Sequence, residues 1–305
     1  MFAAPPVIET EVFARLPDEL RILDSESPWT IARGGGPLHS FLEGPSFDLA
    51  GNLYCVDLCH SRIFRIDAAG TWHVFAAYDG GPNGLKVHRD GRIFVADAKL
   101  GLLCFDPLSA NVKVIVDSFD GKKFGGLNDL VFADNGDIYF TDPGSSAYEN
   151  PIGRVFRLDA AGKLDLIADR LPYPNGLVLD DSQDFLFVAL TRSLQVIRIQ
   201  VRPKHGAFYK SGVFLQMSGG LAGPDGMALD EAGNLAVVHA GFGSVWLFSA
   251  LGEPVARVRS CTGIRTTNVA YGGTDGASLY VTEAAAGVIL RAQMPTPGRR
   301  MFSHR

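Results

Sequence analysis

The chain has 305 residues, 47% hydrophobic and 20% charged, an ordinary globular composition with ample apolar material for a core. A formal net charge of −5, a pI near 5.8 and the lack of a long basic run weigh against nucleic acid or an anionic membrane surface as partners. No stretch approaches the roughly 18 apolar residues of a membrane span, and Met1-Phe-Ala-Ala-Pro-Pro6 lacks the regions of a signal peptide, so a cytoplasmic protein is expected.

In chain order, residues 9–14 read as a strand with no local partner. Residues 18–42, with Arg33-Gly-Gly-Gly36, read as a loop. From residue 43 one phrase recurs at intervals of 40 to 50 residues: Glu43-Gly-Pro-Ser-Phe-Asp, Asn83-Gly-Leu-Lys-Val-His, Asn128-Asp-Leu-Val-Phe-Ala, Asn175-Gly-Leu-Val-Leu-Asp, Asp225-Gly-Met-Ala-Leu-Asp and Asn268-Val-Ala-Tyr-Gly-Gly. Each copy opens a short apolar strand. A turn follows, as in Asp48-Leu-Ala-Gly51, Arg89-Asp-Gly91, Asp134-Asn-Gly136, Asp180-Asp-Ser-Gln-Asp184 and Asp230-Glu-Ala-Gly233, built of residues that accept φ > 0 and bond their own backbone. Second strands are predicted over 53–56, 93–96, 138–141, 185–189, 235–238 and 279–282. Third strands are predicted over 62–66, 153–158, 195–200 and 244–248, and weaker fourth strands over 72–76, 112–116, 164–168 and 255–258.

A strand repeat of this period predicts a β-propeller. Six units give an all-β, six-bladed propeller with four antiparallel strands per blade, one domain over residues 1–305. The last unit lacks an outer strand, so residues 9–14 are expected to supply it and close the ring, removing exposed edges. Residues 295–305 are expected to fray. Of the four cysteines, Cys55 and Cys59 are four apart with no second pair to complete a zinc site. Reduced thiols are expected for these two and for Cys104 and Cys261.

A propeller sets equivalent residues around one axis, so Glu43, Asn83, Asn128, Asn175, Asp225 and Asn268 are expected to converge. A ring of carboxylates and amides suits a hard divalent cation. Capping of turns explains one Asn-Gly, but it does not require Glu43 or exclude Ser and Gly from six aligned copies. Turns between second and third strands are expected to wall a pocket with Asp57, His60 and Arg62, Asp97 and Lys99, Asp142 and Ser145, Thr191 and Arg192, His239 and Phe242, and Glu283. Asp129 is expected to alternate away from Asn128 and brace its blade. His39, His73, His88, His205 and His304 read as loop or surface residues. No Gly-x-Ser-x-Gly elbow occurs, which disfavours a serine nucleophile.

These phrases resemble the gluconolactonase, regucalcin and drug-responsive lactonase family, and more distantly diisopropyl-fluorophosphatase and the paraoxonases. The matching stretches are Glu43-Gly-Pro with Asp48-x-x-Gly51-Asn-Leu-Tyr, Leu127-Asn-Asp129 with Asp137-Ile-Tyr-Phe-Thr-Asp142, Tyr173-Pro-Asn-Gly176, Gly223-Pro-Asp-Gly226, and Thr267-Asn268 with Leu279-Tyr-Val-Thr-Glu283. The resemblance implies a metal-dependent hydrolase that opens a sugar lactone or another small γ- or δ-lactone. It implies one divalent cation, Ca²⁺ first and Zn²⁺, Mn²⁺ or Mg²⁺ otherwise, held by Glu43, Asn175 and Asp225, with Asn128 shared between metal and substrate. Asp225 and Asn128 are then the catalytic pair, with Asp225 or His239 as general base. Asn83, Asn268, His239, Lys99, Arg192 and Arg62 are expected to contact a small-molecule substrate. The rival readings are a phosphotriesterase-type hydrolase on the same cation and a non-catalytic calcium-binding propeller that serves as an interaction module. Family members nearest regucalcin carry a basic residue at the position of Gly126, so gluconolactone needs Arg62, Lys99 or Arg192 as a substitute. No acid occurs among Met227, Ala228 and Leu229, so a second, deeper ion is not expected.

Overall fold

The computed structural model describes residues 4–23, 26–31, 34–202 and 211–305. Ser25, Arg33 and His205 lie outside the described residues. Six antiparallel sheets stand around one axis as a six-bladed propeller. Their inner strands are Leu42–Phe47, Pro82–Val87, Leu130–Phe132, Pro174–Leu179, Pro224–Leu229 and Thr266–Gly272, each packed against the next and the last against the first.

Each blade is covered on both faces, so the middle strands are apolar on both sides. In Leu53–Asp57, Leu53 and Cys55 pack with Phe64, Ile66, Tyr280 and Ile289 towards the last blade. The alternate residues Tyr54 and Val56 pack with Leu85, Ile93 and Val95 towards the second. Sheets buried on both faces read as continuous apolar runs, which is why these strands show no polar alternation. The turn after the first inner strand is held by Asp48, whose carboxylate accepts the Asn52 amide N–H and side-chain N–H at 2.8 Å each, with Gly51 at φ 82°.

Ring closure involves two strands. Glu11–Arg15 pairs antiparallel with Val288–Gln293 as the outer strand of the last blade. Val7–Glu9 pairs in parallel with Pro254–Arg259 of the fifth blade, which gives that sheet a fifth strand absent from the sequence reading. The start of the chain therefore staples blades five and six together. A two-residue ribbon, Ser118–Phe119 with Lys122–Lys123, also went unpredicted.

Two expectations fail here. Residues 295–305 do not fray: they fold across the far mouth of the central tunnel, where Phe302 and Ser303 are buried. His88 is not a surface residue but sits among Phe94, Phe132 and Phe302, with ring centroids at 5.7, 5.3 and 4.9 Å. All four cysteines are free thiols. Among the described residues no helix is long and apolar enough to cross a membrane.

Candidate active site

The recurring phrase is a bulge rather than a turn. In five blades the pairing of inner and second strands shifts register at the column: between Glu43 and Ser46, Pro82 and Gly84, Pro174 and Leu177, Pro224 and Met227, and Thr266 and Val269. A bulge twists the strand and re-aims its side chain. The glycine that follows makes room for the next blade. A Cβ on Gly84 would lie 2.8 Å from the Asn128 carbonyl oxygen, and one on Gly226 would lie 2.1 Å from Asn268 Oδ1. Gly44 meets Asn83 and Gly176 meets Asp225 in the same way. The glycines therefore draw the column into a tight ring. Threonines tie the blades at this level: Thr141 Oγ1 donates to the Asn175 carbonyl, Thr191 Oγ1 to that of Pro224 and Thr267 Oγ1 to that of Leu42, at 2.7–2.8 Å.

The ring splits into two classes. Glu43 and Asp225 are buried, and Asp225 Oδ1 has no hydrogen-bond partner among the described residues. Burial pushes the Glu43 carboxyl up to about 8, and the Asp129 charge adds to the shift. Burial, then the charges of Glu43 and Asp129, push Asp225 well above the usual carboxylate range. Asn175 is oriented by Thr191. The hydroxyl proton goes to Pro224, so Thr191 Oγ1 accepts Asn175 Nδ2 at 3.1 Å and leaves Asn175 Oδ1 as the free acceptor. Asn128 is buried, and its backbone carbonyl accepts the Gly84 N–H at 2.6 Å.

Asn268 forms the second class and stands out of the column: Thr266 and Val269 flank Thr267-Asn268 as Pro224 and Met227 flank Asp225-Gly226, so Thr267 takes the column position and Asn268 the place of the glycine. Its Oδ1 accepts the Val269 N–H at 2.8 Å, and its Nδ2 reaches Asp129 Oδ2 at 3.2 Å. It also donates to Glu43. Blades three and six face each other across the ring, so this contact is a crossbar through the tunnel just below Glu43. Asp129 thus does both: its Oδ1 accepts the Leu130 N–H of its own strand at 2.8 Å, as a brace would, and its Oδ2 crosses the ring, because in blade three the acid takes the place of the glycine. Lys86 Nζ lies 3.6 Å from Asp129 Oδ1, the one cation near three buried carboxylates among the described residues. Asn83 is half-buried at the ring's edge.

The expected pocket walls are largely committed elsewhere. Asp57, Asp97, Asp142 and Glu283 close blades one, two, three and six by accepting backbone N–H groups of the incoming loops, from Phe41, Gly81, Gly126 and Arg265, at 2.8–3.0 Å. Arg62 is buried, bound to Asp57 by Nε and Nη2 and to the Leu20 carbonyl by Nη1. Asp57, Cys59 and His60 cluster, but His60 Nε2 meets the Leu38 carbonyl at 2.7 Å, so the group clips a loop. Lys99 pairs with Asp79 at the surface, and the Arg192 guanidinium lies over the Tyr173 ring at 5.3 Å. His239 is 1% exposed and stacks on Phe242 at 4.6 Å, with Nε2 3.0 Å from the Gly219 carbonyl. Burial lowers its pKa and keeps the ring neutral. Gly126 stands at φ 139°, and a Cβ there would lie 3.3 Å from the Ala98 carbonyl oxygen, so this backbone is built for glycine.

Two acids and two amides stand in the column at the near mouth, and Lys86 offsets the Glu43 charge only in part. That donor set fits a hard divalent cation. Thr191, Asp129 and Lys86 are the residues whose roles were not read from the sequence. The recurring glycine was a usable signal for the crossbar, since it is missing from blades three and six, the two that the crossbar joins.

Residues 41–285 match the family model described as SMP-30/Gluconolactonase/LRE-like region. A gluconolactonase of Zymomonas mobilis is 33% identical over 237 residues, covering 72% of this chain and 64% of that protein. The chain thus spans just under two thirds of that relative's length. The lactonase drp35 of Staphylococcus aureus is 29% identical over 258 residues, covering 79% of this chain and 75% of that protein. A calcium-binding protein, regucalcin, from Agrobacterium tumefaciens superposes with a TM-score of 0.77 at 19% identity, covering 99% of this chain and 100% of that one. A gluconolactonase from Xanthomonas campestris gives 0.74 at 22% identity, covering 96% and 98%.

Proposed function

The chain belongs to the SMP-30/gluconolactonase/LRE-like family, and from that premise we propose that it is a metal-dependent lactonase acting on small-molecule lactones. The observation that carries the metal reading is the pair of buried carboxylates, Glu43 and Asp225, with Asp225 Oδ1 unpartnered among the described residues. Glu43, Asn128, Asn175 and Asp225 would hold one divalent cation, calcium first. When bound, the cation polarises the lactone carbonyl and stabilises the negative charge that develops on its oxygen. Asp225 takes the proton from the attacking water. Asn175 donates from its amide nitrogen to Thr191 and to the Asp225 carboxylate, which leaves its Oδ1 as the group to face a cation. Asn128 orients the ester from the opposite side. His239, enclosed under Gly219 and stacked on Phe242, packs the site rather than acting as its base.

The substrate class follows from what surrounds the ring. Gly126 offers no cation, and Arg62 is fully engaged with Asp57 and Leu20. Lys99 is paired with Asp79 and the Arg192 guanidinium lies over Tyr173, so a polyhydroxylated lactone such as gluconolactone finds no uncommitted cation among the three substitutes, and other γ- or δ-lactones are the better fit. The test is lactone hydrolysis followed by pH indicator after EDTA treatment, with Ca²⁺, Zn²⁺ or Mn²⁺ added back. Turnover should vanish with EDTA, return with one cation, and fall about 10²-fold or more in Asp225→Asn. Full activity in EDTA, or in Asp225→Asn, removes the proposal.

A further inference from the structure

We propose that residues 295–305 are a latch that aligns the six inner strands from the far end of the tunnel and so positions the column at the near end. The segment touches every blade. In blade one, Ser303 Oγ donates to the Phe47 carbonyl at 2.8 Å. In blade two, Phe302 meets His88, and the Arg89 guanidinium lies over its ring at 4.1 Å. In blade three, Phe302 stacks on Phe132 at 4.7 Å and 17°, and Arg305 pairs with Asp134. In blade four, Arg299 Nη1 donates to the Leu179 and Asp180 carbonyls at 3.2 and 2.6 Å. In blade five, the Arg299 N–H donates to Leu229 and the Glu231 N–H to Pro297, each at 2.9 Å. In blade six, the Gly298 N–H donates to Gly276 at 2.9 Å, and a Cβ on Gly298 would fall 2.0 Å from that of Tyr271.

These contacts fall on the far ends of the six strands that carry the column, or on the residues just past them. Phe47 ends the strand of Glu43, and Phe132 that of the Asn128 phrase. Leu179 and Leu229 end those of Asn175 and Asp225. The two ends are about 13 Å apart, four residues at 3.3 Å each. No latch residue is among the ring residues, so any effect on the site passes through strand alignment. Between the latch and the crossbar lies a cavity of about 110 Å³, with Lys86, Val131, Val178 and Ala228 in its wall and Phe302 at its base. The inner strands are therefore not packed on one another through the whole tunnel. They are held at two levels, by glycine contacts and threonines near the site and by the latch at the far end.

The inference rests on the cation reading for its functional consequence, and the experiment separates the two. Phe302→Ala, Phe302→Leu and the milder Arg305→Ala are made in the full chain. Amide hydrogen exchange is measured without added metal, well below the melting temperature, and Ca²⁺ affinity is measured by calorimetry. In Phe302→Ala, amides of Gly44, Gly84 and Gly226 at the near end should exchange about tenfold faster, with Phe302→Leu largely restored and Arg305→Ala intermediate. Ca²⁺ affinity should fall several-fold in the same order. Faster exchange confined to the far end, with near-end amides and affinity unchanged, overturns the latch and leaves a local stabilising contact. If Phe302→Ala does not fold, the near-end amides of Arg305→Ala decide alone. If the wild type binds no divalent cation, the cation reading fails and the exchange result still decides the latch.

Discussion

The near and far ends of the inner strands are built on opposite terms. At the near end, bulges, glycines and threonines gather three buried carboxylates with one lysine between them, and an acid oxygen has no partner. At the far end, stacked aromatics, paired arginines and backbone hydrogen bonds carry the packing and no carboxylate is crowded by another, although the buried Tyr271 hydroxyl has no partner among the described residues. The same strands thus carry strain at one end and stability at the other. A protein with a charged, desolvated site must offset it elsewhere in the fold, and here the compensation sits on the same strands.

The sharpest way to break this contrast is pH. Burial and mutual repulsion raise the folded pKa of Glu43 to about 8 and raise that of Asp225. Both groups thus hold protons in the folded state that they release on unfolding. Their stability contribution is fully present below the unfolded values near pH 4 and is lost as pH rises through the folded values. Metal-free protein should lose melting temperature steadily from pH 5 to pH 8, by roughly 2–4 °C per kcal/mol lost. Saturating Ca²⁺ should flatten the curve by pairing the charges, and Glu43→Gln should flatten it without metal. A metal-free curve that is level or rises over that range means that the near end is not under electrostatic strain.

The fold was legible because a propeller repeats its errors as well as its signals. Every second strand runs one residue beyond its predicted end, as in Leu53–Asp57, Ile93–Asp97 and Ile138–Asp142. A closing polar residue looks like a turn in sequence and is a clip in space. The column was legible for the same reason in five blades, whereas in the sixth the register sets Thr267 in line and Asn268 in the place of the glycine. What stayed hidden was everything that crosses blades. Asp129 was assigned by strand alternation, which governs one sheet and says nothing of a partner opposite on the ring. Residues 295–305 carry no strand pattern, and their order comes from contacts with six separate segments. Arg62 and His239 were placed on the correct face, yet sequence does not tell a side chain aimed into a pocket from one tied beneath it.

The crossbar offers a smaller, more local test. Asp129→Asn keeps the shape but removes one of three charges and leaves Lys86 without its acid. If Asp129 and Asn268 hold Glu43 in place, Ca²⁺ affinity should fall about 10- to 100-fold, the range seen when supports of metal ligands are lost. If Asp129 acts only as a like charge beside Glu43 and Asp225, its removal changes repulsion alone, and the metal-free melting temperature rises with little loss of affinity. Calorimetry and thermal melts on the one variant separate these outcomes, and unchanged affinity would remove the positioning role from the near end.

Thr191 should give the smallest effect, and the one most specific to orientation. Its hydroxyl donates to Pro224 and accepts from Asn175, so it fixes which face of that amide meets the centre. Thr191→Val keeps the volume and removes both bonds, at a cost of about 1–2 kcal/mol in stability. With Thr191 lost as an acceptor, only the Asp225 carboxylate holds the Asn175 amide nitrogen, and an amide that turns presents hydrogen instead of oxygen to a cation. The expected result is a several-fold loss of Ca²⁺ affinity and of kcat/KM, with both recovered in Thr191→Ser, which restores the hydroxyl without the methyl. A loss of stability in Thr191→Val with affinity and turnover intact would reduce Thr191 to a rivet between blades four and five. It would also show that the near end orients its ligands through backbone alone.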